Sequence, residues 1–557
     1  MHTSPTGISR RRILKLGIGV AATSAVGAIL AACGGETATT APAAAPTTAA
    51  TAAGAAPTVA ATATKPAAAT TAATTAPTTA AAPVTTGGTS ATAAATTAPA
   101  SAAATTAPTT AAAAASPAST MATAAPAATV APTPKTAKNA NAVKLTWWHA
   151  MGGVNGDAVS TLTNQFNDSQ SDVFVQDIFQ GSYDDNLLKF RNGLQSKALP
   201  NLIQMYDIGV RFMVDSKAVE PIQTYINTDK FDLSQFEPAL LKYFTVENVQ
   251  YGMPFNNSNP ILYYNKTMFK DAGLNPDQAP RTWDEIAQAA TKLTKKDASG
   301  KVTMPGIVIA IYSWLFEQWH ATQNAVLATP DNGRSARATK LVYNAEAGTK
   351  IMDWWKGMVD QGVCGNLGRN SADTQKAFVA GQIPMTIDST AALRGVVTGV
   401  GGKFDVGTGY MPRPAANVDG GGVIIGGAAN YIVKDKPDTE KQATWKFVQF
   451  LSQAKQQGFW HIGTGYFPVR KDAYDLPEVK ANTDKYPQFQ TAINQLHDSP
   501  VNFATNGATF GTFLQARQDI EGAMESIILG KAKAKDALDA AAATSNTALQ
   551  MYNASVK

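Results

Sequence analysis

Residues 136–557 of the 557-residue chain read as α/β, on a mainly parallel sheet with helices on both faces. Two observations predict this class. Short β-rich runs alternate with amphipathic helical stretches in the order β-α-β-α-β. The segment is also 422 residues long, enough for one large two-lobed unit or two domains.

The elements follow in order. Residues 143–148 (VKLTWW) form a β-rich run. In residues 157–167, Val159, Leu162 and Phe166 fall at i, i+3 and i+7, one face of a helix. Residues 173–179 (VFVQDIF) give a second strand, residues 185–197 a helix, and residues 202–206 (LIQMY) a third strand after the stop at Pro200. Ligands of such sheets sit beyond the carboxyl ends of the strands, where Ser182-Tyr183 and Asp207 fall. Thr282-Trp283-Asp284-Glu285 is a capping box, and Ile286, Ala289, Ala290 and Leu293 give the helix after it an apolar face. Short strands are expected at 383–387, 404–407 and 423–425, an amphipathic helix at 440–453, and a largely helical tail at 519–551. The chain shows no internal repeat.

The N-terminal quarter has another character. Arg10, Arg11, Arg12 and Lys15 precede an apolar run, residues 16–32, so residues 1–32 read as a secretory signal of the twin-arginine type. Leu30-Ala31-Ala32-Cys33-Gly34 resembles a bacterial lipobox, which would place a lipid on Cys33 and anchor the chain to the outer face of the cell membrane. Residues 36–135 contain 45 Ala, 29 Thr and 12 Pro among 100 residues, with Glu36, Lys65 and Lys135 the only charges. Such a stretch cannot bury a core; residues 33–141 are expected to be a disordered tether, roughly 50–60 Å across if fully flexible.

Charge narrows the function classes. Of the 46 Lys and Arg residues, six lie in residues 1–135, as does one of the 41 acids; the rest balance at 40 each. The net charge of +5 is thus no signal for nucleic acid. Cys33 lies in the leader and Cys364 stands alone, which excludes a disulfide framework; Cys364 is expected to be an idle buried thiol. Five scattered histidines offer no metal spacing, and nucleophile elbows, phosphate loops and dinucleotide fingerprints are missing. Acid pairs such as Asp184/Asp185 and Asp388/Asp405 are expected to be solvated surface groups. The sequence thus points to no catalytic residue, metal or cofactor. Aromatic and small polar residues in the loops suit a polyol, whose C–H faces stack on rings and whose hydroxyls bond short side chains and backbone N–H groups.

Several segments carry a family resemblance: Trp148-His149-Ala150-Met151, Gly181-Ser182-Tyr183, Gln204-Met205-Tyr206-Asp207-Ile208-Gly209, PFNNSNPILYYN from Pro254, MTIDS from Met385, Ile424-Ile425-Gly426-Gly427-Ala428, Gly465-Tyr466-Phe467-Pro468 and Gln515-Ala516-Arg517. The chain from about 143 to 542 resembles the extracellular solute-binding proteins of ABC importers, and among them the glycerol-3-phosphate binders. The resemblance implies a two-lobed periplasmic-binding-protein fold of type II. Hinge-linked lobes would span about 142–253 with 427–464, and about 254–426 with 465–557, closing on ligand. It also implies a monomer that delivers a small molecule to permease and ATPase subunits. By correspondence, Tyr183, Ser258, Ser389, Gly427, Tyr466 and Arg517 would be ligand contacts, Arg517 gripping a phosphate. Asp207 stands where the family has Glu on the polyol hydroxyls. Ile311 and Trp314 stand where it has two tryptophans three apart. Both departures remove bulk and leave room for a glycerophosphodiester, such as glycerophosphocholine, beside free sn-glycerol-3-phosphate.

Three rival functions fit parts of the sequence. A neutral oligosaccharide would use Trp147, Trp148, Trp314 and Trp319 for stacking. A surface hydrolase would need a nucleophile–base pair or a metal. A cell-wall or adhesion protein would rest on the tether alone.

Overall fold

The computed structural model describes residues 136–556; the leader, Cys33 and most of the expected tether lie outside the described residues. Two mixed sheets, each covered by helices, form two lobes. In the first, strands Val143–His149, Val173–Phe179 and Leu202–Tyr206 run parallel, with helices Gly153–Ser169 and Tyr183–Ser196 between them. Strand Gly426–Val433 then adds antiparallel to Leu202–Tyr206 and pairs with Val219–Glu220 and Met253–Ser258. The second sheet runs Cys364–Gly365, Ile307–Val308, Met385–Ser389, Pro260–Asn265, Val406–Tyr410, with Pro260–Asn265 antiparallel to both neighbours.

The two-lobed α/β expectation therefore holds, while the mainly parallel sheet does not. Strands Pro260–Asn265 and Gly426–Val433 enter their sheets straight from the other lobe, with no crossover helix to turn them, so they run against their neighbours. The first crossing also comes later than the expected 253/254 boundary. Met253–Ser258 still belongs to the first sheet, and the chain changes lobes at Asn259. That residue is fully buried: its amide donates to the Ala492 carbonyl and its own carbonyl accepts from Thr390 N–H.

Other local differences have local causes. No strand forms at 423–425, because the Gln318 side chain bonds both the N–H and the carbonyl of Ile424 in place of a ladder. The strands expected at 383–387 and 404–407 lie two to three residues later at their ends, as Met385–Ser389 and Val406–Tyr410. The tail divides into helices Phe513–Ile528 and Ala534–Ser555 around Gly530, whose φ of +70° ends the first. The capping box at Thr282 is present, and Ser182 with Asp185 forms a second.

Trp147 is sealed in the first lobe, its indole N–H on Asn430 Oδ1 at 3.1 Å and its ring edge-on to Phe255 and Phe447. Trp319 is equally buried in the second, donating to the Pro412 carbonyl. Cys364 is buried, and desolvation pushes its thiol up to about 12. Among the described residues, no helix is long and apolar enough to cross a membrane.

Candidate functional site

A cavity of about 290 Å³ opens between the lobes, and the eight residues singled out from the sequence, Tyr183, Asp207, Ser258, Trp314, Ser389, Gly427, Tyr466 and Arg517, all line it. Its size falls at the small end of small-molecule sites.

The first lobe presents the ends of its strands. Tyr183 is the first residue of its helix, fixed by the Ser182 cap. Its ring stacks on Tyr206 at 5.1 Å, its hydroxyl accepts from the Asn256 amide at 2.7 Å, and it lies 3.4 Å from the Tyr466 hydroxyl. Asp207 follows strand Leu202–Tyr206 and accepts from Ile208 N–H. Burial raises the Tyr183 and Tyr206 hydroxyls well above their usual range, so both stay neutral donors.

The segments that join the lobes supply the middle. Ser258 ends its strand and pairs with Gly426, and Gly427 pairs with Asn257. Gly427 has φ +91°, and a Cβ there would lie 1.8 Å from the Asn256 carbonyl oxygen, so this close approach needs glycine. A Cβ on Gly426 would meet the Trp314 indole at 2.6 Å; the missing side chain makes room for that ring.

The second lobe brings the charge. Arg517, on helix Phe513–Ile528, makes a two-pronged ion pair with Glu317, at 2.6 and 2.9 Å, and reaches across to Asp207 at 3.4 Å. Burial disfavours its charge, but Asp207 and Glu317 outweigh that and hold the guanidinium protonated. Burial raises both carboxylates, Glu317 to about 7, with Arg517 pulling the other way. Ser389 caps a short turn, its Oγ accepting from Ala391 N–H.

Several residues that line the cleft or pair with its lining escaped the sequence reading. Glu317 had a signal: a lone acid inside the otherwise buried helix Ser313–Thr322 needs a cationic partner. Tyr206 and Tyr312 carried none beyond being aromatic. Tyr312, not Ile311, lines the cleft; Ile311 is buried behind it. Tyr312 lies 5.8 Å from Trp314, so the cleft carries a Tyr–Trp pair. Asp388 corrects another expectation. It is no solvated surface acid but lines the cleft at 9% exposure, whereas Asp184, Asp185 and Asp405 are exposed. Of the four tryptophans considered for sugar stacking, Trp314 alone lines the cleft.

The site has hydroxyl donors, one buried guanidinium paired with Glu317, two lining acids and aromatic rings, which suits holding a small polyhydroxylated molecule. Residues 161–490 match the family of bacterial extracellular solute-binding proteins. The sn-glycerol-3-phosphate-binding periplasmic protein UgpB of Escherichia coli K12 is 32% identical over 426 residues, covering 75% of this chain and 95% of that protein. Its Yersinia enterocolitica namesake is 31% identical over 428 residues, covering 75% and 95%. Among solved structures, UgpB from Mycobacterium tuberculosis in complex with glycerophosphocholine aligns with a TM-score of 0.62 at 20% identity, covering 73% of this chain and 98% of that one. The cyclic alpha-maltosyl-1,6-maltose binding protein from Arthrobacter globiformis aligns at 0.59 and 24% identity, covering 73% and 99%. These structural likenesses agree with the two-lobed type II fold. On the extent of the sequence match, the chain belongs to the bacterial extracellular solute-binding protein family.

Proposed function

We propose that this protein is the solute receptor of an ABC importer and captures sn-glycerol-3-phosphate or a glycerophosphodiester by closing its lobes. It would act as a monomer, held to the outer face of the membrane through a lipid on Cys33, and hand its ligand to the permease. No bond is made or broken in this reading. One observation carries it: a buried guanidinium, Arg517, shares a single cleft with the Tyr183, Ser258, Ser389 and Tyr466 hydroxyls and the Gly427 backbone. The guanidinium would meet the phosphate, with neutral donors completing its shell and holding the glycerol. The names of the relatives point the same way.

A second reading, a neutral oligosaccharide, is favoured by the ion pairs that already balance Arg517 against Glu317 and Asp207. The burial of Trp147 and Trp319 in the lobe cores weakens it.

Thermal-shift titrations with sn-glycerol-3-phosphate, glycerophosphocholine, maltose and glycerol separate the two. A ligand selective for the folded state adds about 2.7 kcal/mol of stability at 100 times its Kd. A rise with a phosphate ligand, reduced in Ser389→Ala, is the expected result. A rise with maltose alone would move the assignment to a sugar, and no rise with any phosphate compound would overturn the proposal.

A further inference from the structure

We propose that Asp388 selects a glycerophosphodiester whose head group is positively charged. This rests on the function proposed above and adds to it a residue and a charge pattern.

Arg517 is the cation of the cleft wall, and Glu317 and Asp207 already engage it. Asp388 is a further acid on the same wall and forms no ion pair among the described residues. Its Oδ1 accepts the Ser389 N–H at 2.7 Å, which fixes the carboxyl at the end of strand Met385–Ser389. Its Oδ2 has no hydrogen-bond partner among the described residues. A buried carboxylate without a counter-ion is unfavourable and is typically kept where it has a ligand to meet. Desolvation accordingly raises Asp388 to about 7, and no cation pulls against it.

The surroundings indicate the chemistry of that ligand. Tyr312, Trp314 and Tyr466 line the same cleft as Asp388, and the Tyr312 ring lies 5.8 Å from Trp314. A carboxylate in a cleft that aromatic rings also line suits an organic ammonium, since rings can hold even a quaternary one that has no N–H to donate. A free phosphomonoester, with close to two negative charges at neutral pH, would enter a cleft where acids outnumber the guanidinium. A diester carries one charge, and an ammonium on its head group cancels it. Such a zwitterion would place its phosphate toward Arg517 and its ammonium against Asp388, leaving neither buried charge alone.

Isothermal titration calorimetry on the full chain tests this with glycerophosphocholine, glycerophosphoglycerol and sn-glycerol-3-phosphate. The two diesters share the phosphate and differ in head-group charge. The wild type is expected to bind the choline ester about tenfold or more tighter than the glycerol ester, the scale of one charge contact in a partly dry site. Asp388→Asn is expected to abolish most of that preference, to leave the glycerol ester within about threefold, and to strengthen sn-glycerol-3-phosphate by lifting repulsion. Equal wild-type affinity for the two diesters would overturn the role of Asp388 while leaving the proposed function standing, and needs no variant to fold. Equal weakening of all three ligands in Asp388→Asn would overturn it too. Failure of all three to bind the wild type would bring down the function itself.

Discussion

Asp388 also bears on stability, and the sign follows from its titration. Its carboxyl moves from an ordinary 3.8 to about 7 on folding because burial disfavours the charge. The folded state therefore binds the proton more tightly than the unfolded chain does. The contribution of this group to stability is greatest below about pH 4, falls as pH rises toward about 7, and is level beyond, a loss of at most about 4 kcal/mol. The groups around it, Tyr263, Tyr312 and Tyr466, are hydroxyls that stay neutral in this range. Glu317, also raised to about 7 by burial, adds a slope of the same sign, so unliganded protein should melt at a higher temperature at pH 5 than at pH 8, and Asp388→Asn should make that slope shallower without removing it. Identical pH profiles for the two proteins would remove Asp388 as the source. Nothing local in the sequence marks this residue. An acid in the run MTIDS reads like any strand-end acid, and only the fold shows that its strand ends in a cleft. Glu317 was more legible, as a single acid within SWLFEQWHAT.

At the scale of elements, the local code was readable where the chain satisfies itself and silent where a distant side chain intervenes. The capping box at Thr282 and the apolar stripe after it use neighbours in sequence, and the helix Trp283–Leu293 forms as they require. The apolar run 423–425 looks like a strand, but Gln318, more than 100 residues away, takes its backbone bonds. The strand begins instead at Gly426, and what starts it is the pair of glycines that lets two chain segments touch. Gly427→Ala puts a Cβ on the Asn256 carbonyl oxygen and forces a left-handed φ on alanine. We expect a loss of roughly 2 kcal/mol or more, seen as a lower urea midpoint, and a loss of ligand binding larger than the stability change explains. Asn256 holds the Tyr183 hydroxyl, so displacing its backbone disturbs a cleft wall. Gly395, whose Cβ would meet nothing within 4 Å, is the matched control: its alanine variant should fold and bind normally.

For the whole molecule, the question is what holds the lobes at their present separation. Among the described residues, charged side chains bridge them in several places, Glu237 with His497 included, and two of these clusters start from residues 207–215 of the first lobe. One is the cleft pair Asp207–Arg517. The other centres on Asp215, at the end of the helix Val210–Asp215 that follows the first lobe's third strand. Arg337 grips its carboxylate with two bonds of 2.8 Å, and the Tyr552 hydroxyl adds a third at 2.9 Å. Tyr552 lies on helix Ala534–Ser555, which packs on helices Phe513–Ile528 and Glu346–Asp360 of the second lobe. Arg211, on the same short helix as Asp215, contacts it at 2.9 Å. Burial works against the Asp215 charge, and Arg337 and Arg211 outweigh it, holding the carboxyl below its usual range. Arg211 also makes the bridge reversible: when the lobes part, Asp215 keeps a partner in its own lobe and no bare charge opposes opening. Asp215→Asn leaves the cleft untouched while weakening the tie. If the tie favours the closed form, the variant shifts the unliganded population toward open, and apparent affinity falls with the closed fraction, by roughly tenfold for a loss of about 1.4 kcal/mol. Small-angle scattering should show a larger radius of gyration without ligand and the wild-type value at saturation. An unchanged radius and affinity would mean that Asp215 braces a fixed joint, and that closure is controlled by the cleft alone.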